Sequence, residues 1–125
     1  ENYTDATCGL PSTTVVWDII DMLMWFTKNS GGRTHVVGSE DLWFSGQWDL
    51  RDVHGNVWEW CWDWYDIYPT VAVTDYAGPA SGTARVVRGG AWDRDAQHCR
   101  AGNREYCFPT SRYSSIGFRL VRTYP

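Results

Sequence analysis

The 125-residue chain lacks most of the signatures that identify a chemistry at sight. No apolar run approaches the roughly 20 residues that a membrane-spanning helix needs. Cys8, Cys61, Cys99 and Cys107 include no CxxC pair and no zinc-ribbon or finger spacing. They allow three disulfide pairings and leave the redox compartment open. There is no P-loop, no GxSxG and no HExxH, which takes P-loop NTPases, α/β-hydrolases and zincins out of the reading. The chain opens at Glu1 without an initiator Met, apolar leader or basic n-region, as expected of a processed or excised domain. Internal repeats and low-complexity tracts are missing too. A composition of 43% hydrophobic and 21% charged residues is globular, and the length suits one domain, 1–125, around one core.

Positive charge is scarce in one part of the chain and concentrated in the other. The formal net charge is -4, but residues 1–84 carry 3 bases against 12 acids, and residues 85–125 carry 8 Arg against 3 acids. A basic, aromatic-rich segment would suit single-stranded nucleic acid. Against that, Arg85, Arg88, Arg100, Arg104, Arg112 and Arg119 are spread singly among glycines and apolar residues. Glu59 and Asp63 of the acidic part are natural partners, so internal bidentate Arg–carboxylate pairing is the better expectation and nucleic acid is disfavoured.

Aromatic residues are abundant: 9 Trp, 7 Tyr and 4 Phe, 16% of the chain. Val16, Ile19, Ile20, Leu23 and Phe26 recur at helical spacing and predict a helix from Ser12 to about Asn29, stopped by Gly31-Gly32. Residues 33–52 read as loop with short extended pieces. Val57 to Tyr65 alternates with the period of a strand, placing Trp58, Trp60, Trp62 and Trp64 on one face, expected to pack into the core rather than to stack on sugar. Arg85–Arg88 predicts a short strand, Ile116–Val121 a closing one, and residues 91–115 a turn-rich, polar and aromatic connection. One long helix with several short strands is α+β.

Four groups of residues are chemically suggestive. Asp52, Gly55, Val57 and Glu59 offer two carboxylates and intervening carbonyls around a turn, the oxygen chemistry of Ca²⁺, or equally acids that cap backbone N–H groups or pair with Arg. Cys99 and Cys107 with His98 lack a diagnostic spacing, and a buried thiol or disulfide partner is expected for Cys99. His35 and His54 read as structural or surface residues. Residues 93–115 interleave Tyr, Ser, Asp, His, Arg and Phe on a turn-rich segment, a paratope-like composition of rigid aromatics and short polar groups.

The run Trp48 to Tyr65 with its GNVWEW block, the RGGAW of Arg88 to Trp92, and Gly117-Phe118-Arg119 resemble the formylglycine-generating enzyme (sulfatase-modifying factor) family. Leu10-Pro11-Ser12, Trp17 and Thr34 to Gly38 follow it more loosely. The resemblance implies a variant of the C-type lectin fold, here in a minimal version, and structural Ca²⁺ on Asp52, Gly55, Val57 and Glu59. It does not carry over the enzyme. The oxidases hold copper on two cysteines placed shortly after this Gly-Gly segment, whereas Asp93, Arg94, Asp95 and Ala96 follow Trp92 here. No catalytic residue and no catalytic cofactor are therefore expected, and an oxidase domain or a non-catalytic assembly module stands as the alternative.

Residues 85–122 also resemble the variable region of diversity-generating retroelement proteins, in which adenine-directed mutagenesis rewrites positions on a fixed lectin scaffold. The resemblance makes Arg88, Gly89, Gly90, Trp92, Cys99, Arg100, Asn103, Arg104, Pro109, Arg112, Ile116, Gly117, Phe118 and Arg119 scaffold. It makes Asp93, Arg94, Asp95, Gln97, His98, Glu105, Tyr106, Cys107, Phe108, Thr110, Ser111, Tyr113, Ser114 and Ser115 the ligand-binding variable set. Randomising the adenines of an Asn codon can yield 12 of these 14 residues, but not Gln97 or Glu105, which must be fixed or come from other codons. A protein or surface-glycan ligand follows, with Tyr106, Phe108 and Tyr113 as aromatic anchors. The same resemblance points to a bacterial cell surface or a phage virion.

Overall fold

The computed structural model describes residues 13–38 and 50–121. In chain order its elements are helix α1 (Thr13–Leu23), β1 (Trp58–Trp64), β2 (Arg85–Arg88), a 3₁₀ turn (Ala96–Cys99), β3 (Glu105–Cys107) and β4 (Ile116–Gly117). The strands form one four-stranded sheet in the order β3-β2-β1-β4. β2 runs antiparallel to both β1 and β3, and β4 lies parallel to β1. Most of the chain is ordered loop around this small sheet, an α+β arrangement. Leu10, Pro11, Ser12 and the Trp48 end of the first motif lie outside the described residues.

The helix is shorter than its periodicity predicts, and Asn29 is the reason. Its Nδ2 donates to the carbonyls of Asp21 and Met24, and its Oδ1 accepts from Phe26 N–H, each at 2.9 Å. One side chain thus satisfies the end of the helix and turns the chain back on itself. The apolar spacing continues to Phe26 because Phe26 is buried at 4% exposure, not because it is helical.

The sheet buries Trp58, Val87, Ala91 and Cys107, with Trp60 and Ile116 packed against them. The expected all-core Trp face does not extend along β1. Trp58 is 5% exposed, but Trp62 is 85% exposed. The register with β2 is irregular between Trp60 and Trp64, which breaks strict alternation at that end. The Arg85 guanidinium instead lies 3.5 Å from the Trp64 ring centroid and 4.9 Å from that of Trp62. The closing strand also contracts, from six expected residues to Ile116–Gly117.

The turn before β1 ties the loops together. Asn56, buried at 4% with φ of 61°, accepts from His35 N–H at 2.9 Å and donates to His35 C=O at 3.1 Å through its side chain, imitating a strand pair. Its backbone N–H donates to Trp25 C=O at 2.8 Å and its C=O accepts from Trp92 N–H at 2.9 Å. Gly55 must be glycine, because a Cβ there would collide with the Trp25 carbonyl. His35 is structural, as its sequence context predicts, stacked 3.6 Å from Trp25 and within 2.7 Å of Ser30 C=O.

Candidate functional site

The site grows from how residues 93–115 are held. Side chains and backbone N–H groups, several from outside the segment, hold it by its main chain. Arg88 Nη1 donates to the carbonyls of Ala101 at 3.0 Å and Asn103 at 3.3 Å, and Asn103 Nδ2 donates to His98 C=O at 3.0 Å. His54 Nδ1 lies 2.6 Å from Cys99 C=O. Thr27 N–H donates to Arg94 C=O at 3.0 Å and Trp58 N–H to Ser115 C=O at 2.8 Å. A main-chain anchor does not depend on the side chain at that position, so side chains can change while the loop stays.

Those side chains surround a cleft of about 300 Å³. Eight of the 14 expected binding residues line it: Asp93, Arg94, His98, Glu105, Tyr106, Cys107, Tyr113 and Ser115. Trp58, Val87 and Ile116 complete the lining and make it apolar where it meets the core. The sequence did not single out these three as site residues, since they read as strand core. Asp95, Gln97, Phe108, Thr110, Ser111 and Ser114 do not line the cleft. Tyr106, Phe108 and Tyr113, the expected anchors, are 54%, 54% and 62% exposed. Cys107 and Ser115, expected on the displayed surface, are each only 8% exposed and serve as wall. The inward face of the short strand β3 accounts for Cys107.

An aromatic ladder continues outward from the cleft onto residues that follow β1. Phe108 meets Tyr106 edge-on at 6.4 Å, Tyr106 meets Tyr65 at 5.0 Å, and Arg104 lies 4.9 Å from the Tyr65 ring and 3.8 Å from that of Tyr68. Tyr68 Oη in turn accepts from Arg88 Nη2 at 2.8 Å. Tyr65 thus packs against the exposed Tyr106, and Tyr68 holds Arg104 and Arg88 beside it, roles that their sequence positions did not reveal.

Electrostatics at the expected calcium residues take a different form. Arg119 Nε donates to Glu59 Oε2 at 2.9 Å and Nη2 to Oε1 at 2.7 Å, the anticipated bidentate pair. Nη2 also donates to the carbonyls of Arg51 at 2.9 Å and Asp52 at 3.2 Å. The Asp52 carboxylate accepts from Gly38 N–H at 2.6 Å, and Gly55 N–H donates to Gly89 C=O at 2.7 Å. The Glu59 carboxylate raises the Arg119 pKa further above its already high value. With the Glu59 charge compensated by a guanidinium, this set does not offer the uncompensated carboxylates that select Ca²⁺. Among the described residues, no group of three or more His, Cys, Asp or Glu is arranged to hold a metal ion.

The cysteines are unpaired at Cys61, Cys99 and Cys107, and Cys8 lies outside the described residues. Cys99 is 1% exposed, and burial pushes its pKa up to about 11 against weaker lowering by backbone N–H groups of Ala91 and Gly55. Burial also raises the Cys61 thiol, opposed by Arg88. No helix among the described residues is long and apolar enough to cross a membrane.

Comparison with known proteins accounts for this geometry. Residues 16–124 match the family described as "Sulfatase-modifying factor enzyme 1-like domain". The formylglycine-generating enzyme of Streptomyces coelicolor is 40% identical over 77 residues, 58% of this chain and 24% of that protein. A serine/threonine-protein kinase, pkn1 of Chlamydia caviae, is 42% identical over 77 residues, 58% of this chain and 12% of its own. Among solved structures, Treponema denticola variable protein 1 superposes with a TM-score of 0.73 at 40% identity, covering 81% of this chain and 36% of that one. The chain therefore spans a quarter or less of these two curated relatives' length. The fold is the C-type lectin fold in its formylglycine-generating-enzyme form, on a chain similar to a diversity-generating retroelement variable protein. The chain belongs to the sulfatase-modifying factor (formylglycine-generating enzyme) family.

Proposed function

We propose that this domain is a ligand-binding variable protein, a receptor- or adhesin-like module that presents exchangeable side chains of residues 93–115 on a fixed lectin scaffold. One observation carries the reading. The segment is held by its carbonyls and N–H groups, while eight of its side chains converge on a single cleft backed by the fixed Trp58, Val87 and Ile116. That division of labour is what a surface needs if residues are to be replaced without refolding. The similarity to a variable protein over 81% of the chain supports it. The ligand is a protein or a surface glycan, met at a bacterial cell surface or on a virion.

The reading is non-catalytic. Cys99, the first cysteine after the Gly-Gly segment, is 1% exposed, and burial favours its neutral thiol, which supports a structural over a nucleophilic role. Sequencing the codons for residues 85–122 across many clones of the source population tests the proposal. Substitutions confined to adenine-bearing codons within 93–115, with Trp92, Arg100 and Gly117 constant, are expected. A uniform sequence would remove diversification and leave a binding or assembly domain of fixed specificity.

A further inference from the structure

We infer that the cleft takes one cationic side chain, an Arg or Lys of a polypeptide ligand, and that Glu105 is its standing counter-charge. The inference rests on the binding function proposed above and adds the ligand's chemical class. Residues 85–125 carry eight arginines and only three acids. Two of the three acids, Asp93 and Glu105, line the cleft, but only one of the seven described arginines of this part, Arg94, does. In the most basic part of the chain, negative charge is thus collected at one place. Arg94 compensates part of it: its Nε is 3.6 Å from Asp93, on a side chain 53% exposed and free to swing into solvent. Glu105 faces His98 at 3.8 Å, which supplies positive charge only when protonated. The cleft thus sets two carboxylates against one guanidinium and one imidazole.

The rest of the lining suits the stem of such a side chain. Trp58, Val87, Cys107 and Ile116 give an apolar wall for methylenes, and Tyr106 and Tyr113 bring exposed aromatic rings, the usual surroundings of a bound ammonium or guanidinium. A cleft of about 300 Å³ accommodates one long side chain rather than a folded loop. Glu105 is also one of the two positions that randomised Asn codons cannot produce. It is therefore fixed or drawn from another codon, and where it is fixed a preference for cations would persist across variants carrying different neighbours.

The experiment follows cleft amide and indole resonances of the full chain by NMR during titration with Nα-acetyl-arginine amide, its neutral isostere Nα-acetyl-citrulline amide, Nα-acetyl-glutamate amide and a methyl pyranoside. The arginine probe is expected to shift Trp58, Tyr106 and Ser115 at millimolar concentrations and to bind about 5-fold more tightly than citrulline, the size of one partly exposed charge pair. Glu105→Gln should remove that advantage while leaving the citrulline affinity and the melting temperature in place. Equal binding of arginine and citrulline overturns the charge inference but leaves a binding cleft. A response to the pyranoside alone assigns the cleft to glycan. Silence from all four probes overturns both the inference and the cleft as the binding site.

Discussion

Replacing Arg119 with Met should be one of the more damaging surface-adjacent changes available in this domain. The guanidinium makes two bonds to Glu59 and two to the carbonyls of Arg51 and Asp52, and the paired side chains are 32% and 26% exposed. Breaking a fully buried pair costs about 3–5 kcal/mol and an exposed one about 0.2–1, so a pair a quarter to a third exposed should cost about 2 kcal/mol. For a domain of this size that corresponds to a fall in melting temperature of about 6–10 °C. Circular dichroism melts of Arg119→Met, Glu59→Gln and the double variant measure it. The double variant should be less destabilised than the sum of the singles by about 1 kcal/mol, because the second substitution removes a charge already stranded. A fall under 2 °C for Arg119→Met, or strict additivity, would refute the claim that this pair bolts β1 to the chain beyond β4. The same melts with and without chelator address calcium. If Arg119 supplies the positive charge at Glu59, chelation leaves the melting temperature unchanged, and a drop of several degrees would restore a structural ion at Asp52, Gly55, Val57 and Glu59.

Side chains that only furnish the cleft should be replaceable: Tyr106→Ala, more than half exposed, should move the melting temperature by less than about 3 °C. Arg88→Ala should cost about 2 kcal/mol through the orphaned carbonyls of Ala101 and Asn103, and equal effects of the two would contradict the display architecture. Gly90→Ala combines a φ of 77° with a collision against Cys99 Sγ, so urea midpoints should show a loss of about 3 kcal/mol or more, and a midpoint near wild type would mean that Cys99 can move aside. For Cys99, a folded pKa of about 11 above an ordinary value near 9 means that the folded state holds its proton longer than the unfolded one. Its contribution is therefore fully present below about pH 9 and is lost as pH rises toward 11, by about 2–3 kcal/mol. A Cys99→Ala variant should lack that part of the alkaline slope, and identical slopes would place the thiol elsewhere.

The fold was legible where the sequence repeats one period or carries a motif that can satisfy its own backbone. β1 and β2 lie within a residue of the spans expected for them, and the GNVWEW block announces a turn that Gly55 and Asn56 make. That some arginine would pair bidentately with a carboxylate such as Glu59 was foreseeable, because eight separated arginines face an acidic remainder of the chain. Trp62 was not, since alternation specifies a face but not how far the partner strand extends along it. The helix end was missed because Asn29, five to eight residues beyond the carbonyls it caps, competes with helical bonding in a way no periodicity records.

Composition and motif by themselves determined the fold class and the family, because both depend on local spacing and residue type. Tertiary structure alone decided which side chains meet. It drew eight residues from a 25-residue loop into one cleft, put Trp58, Val87 and Ile116 beneath them, and turned Cys107 and Ser115 inward. It also gave Glu59 to Arg119, 60 positions away. These outcomes turn on contacts between strands and loops distant in sequence, whose geometry is set by the packing of the whole sheet rather than by any run of neighbouring residues.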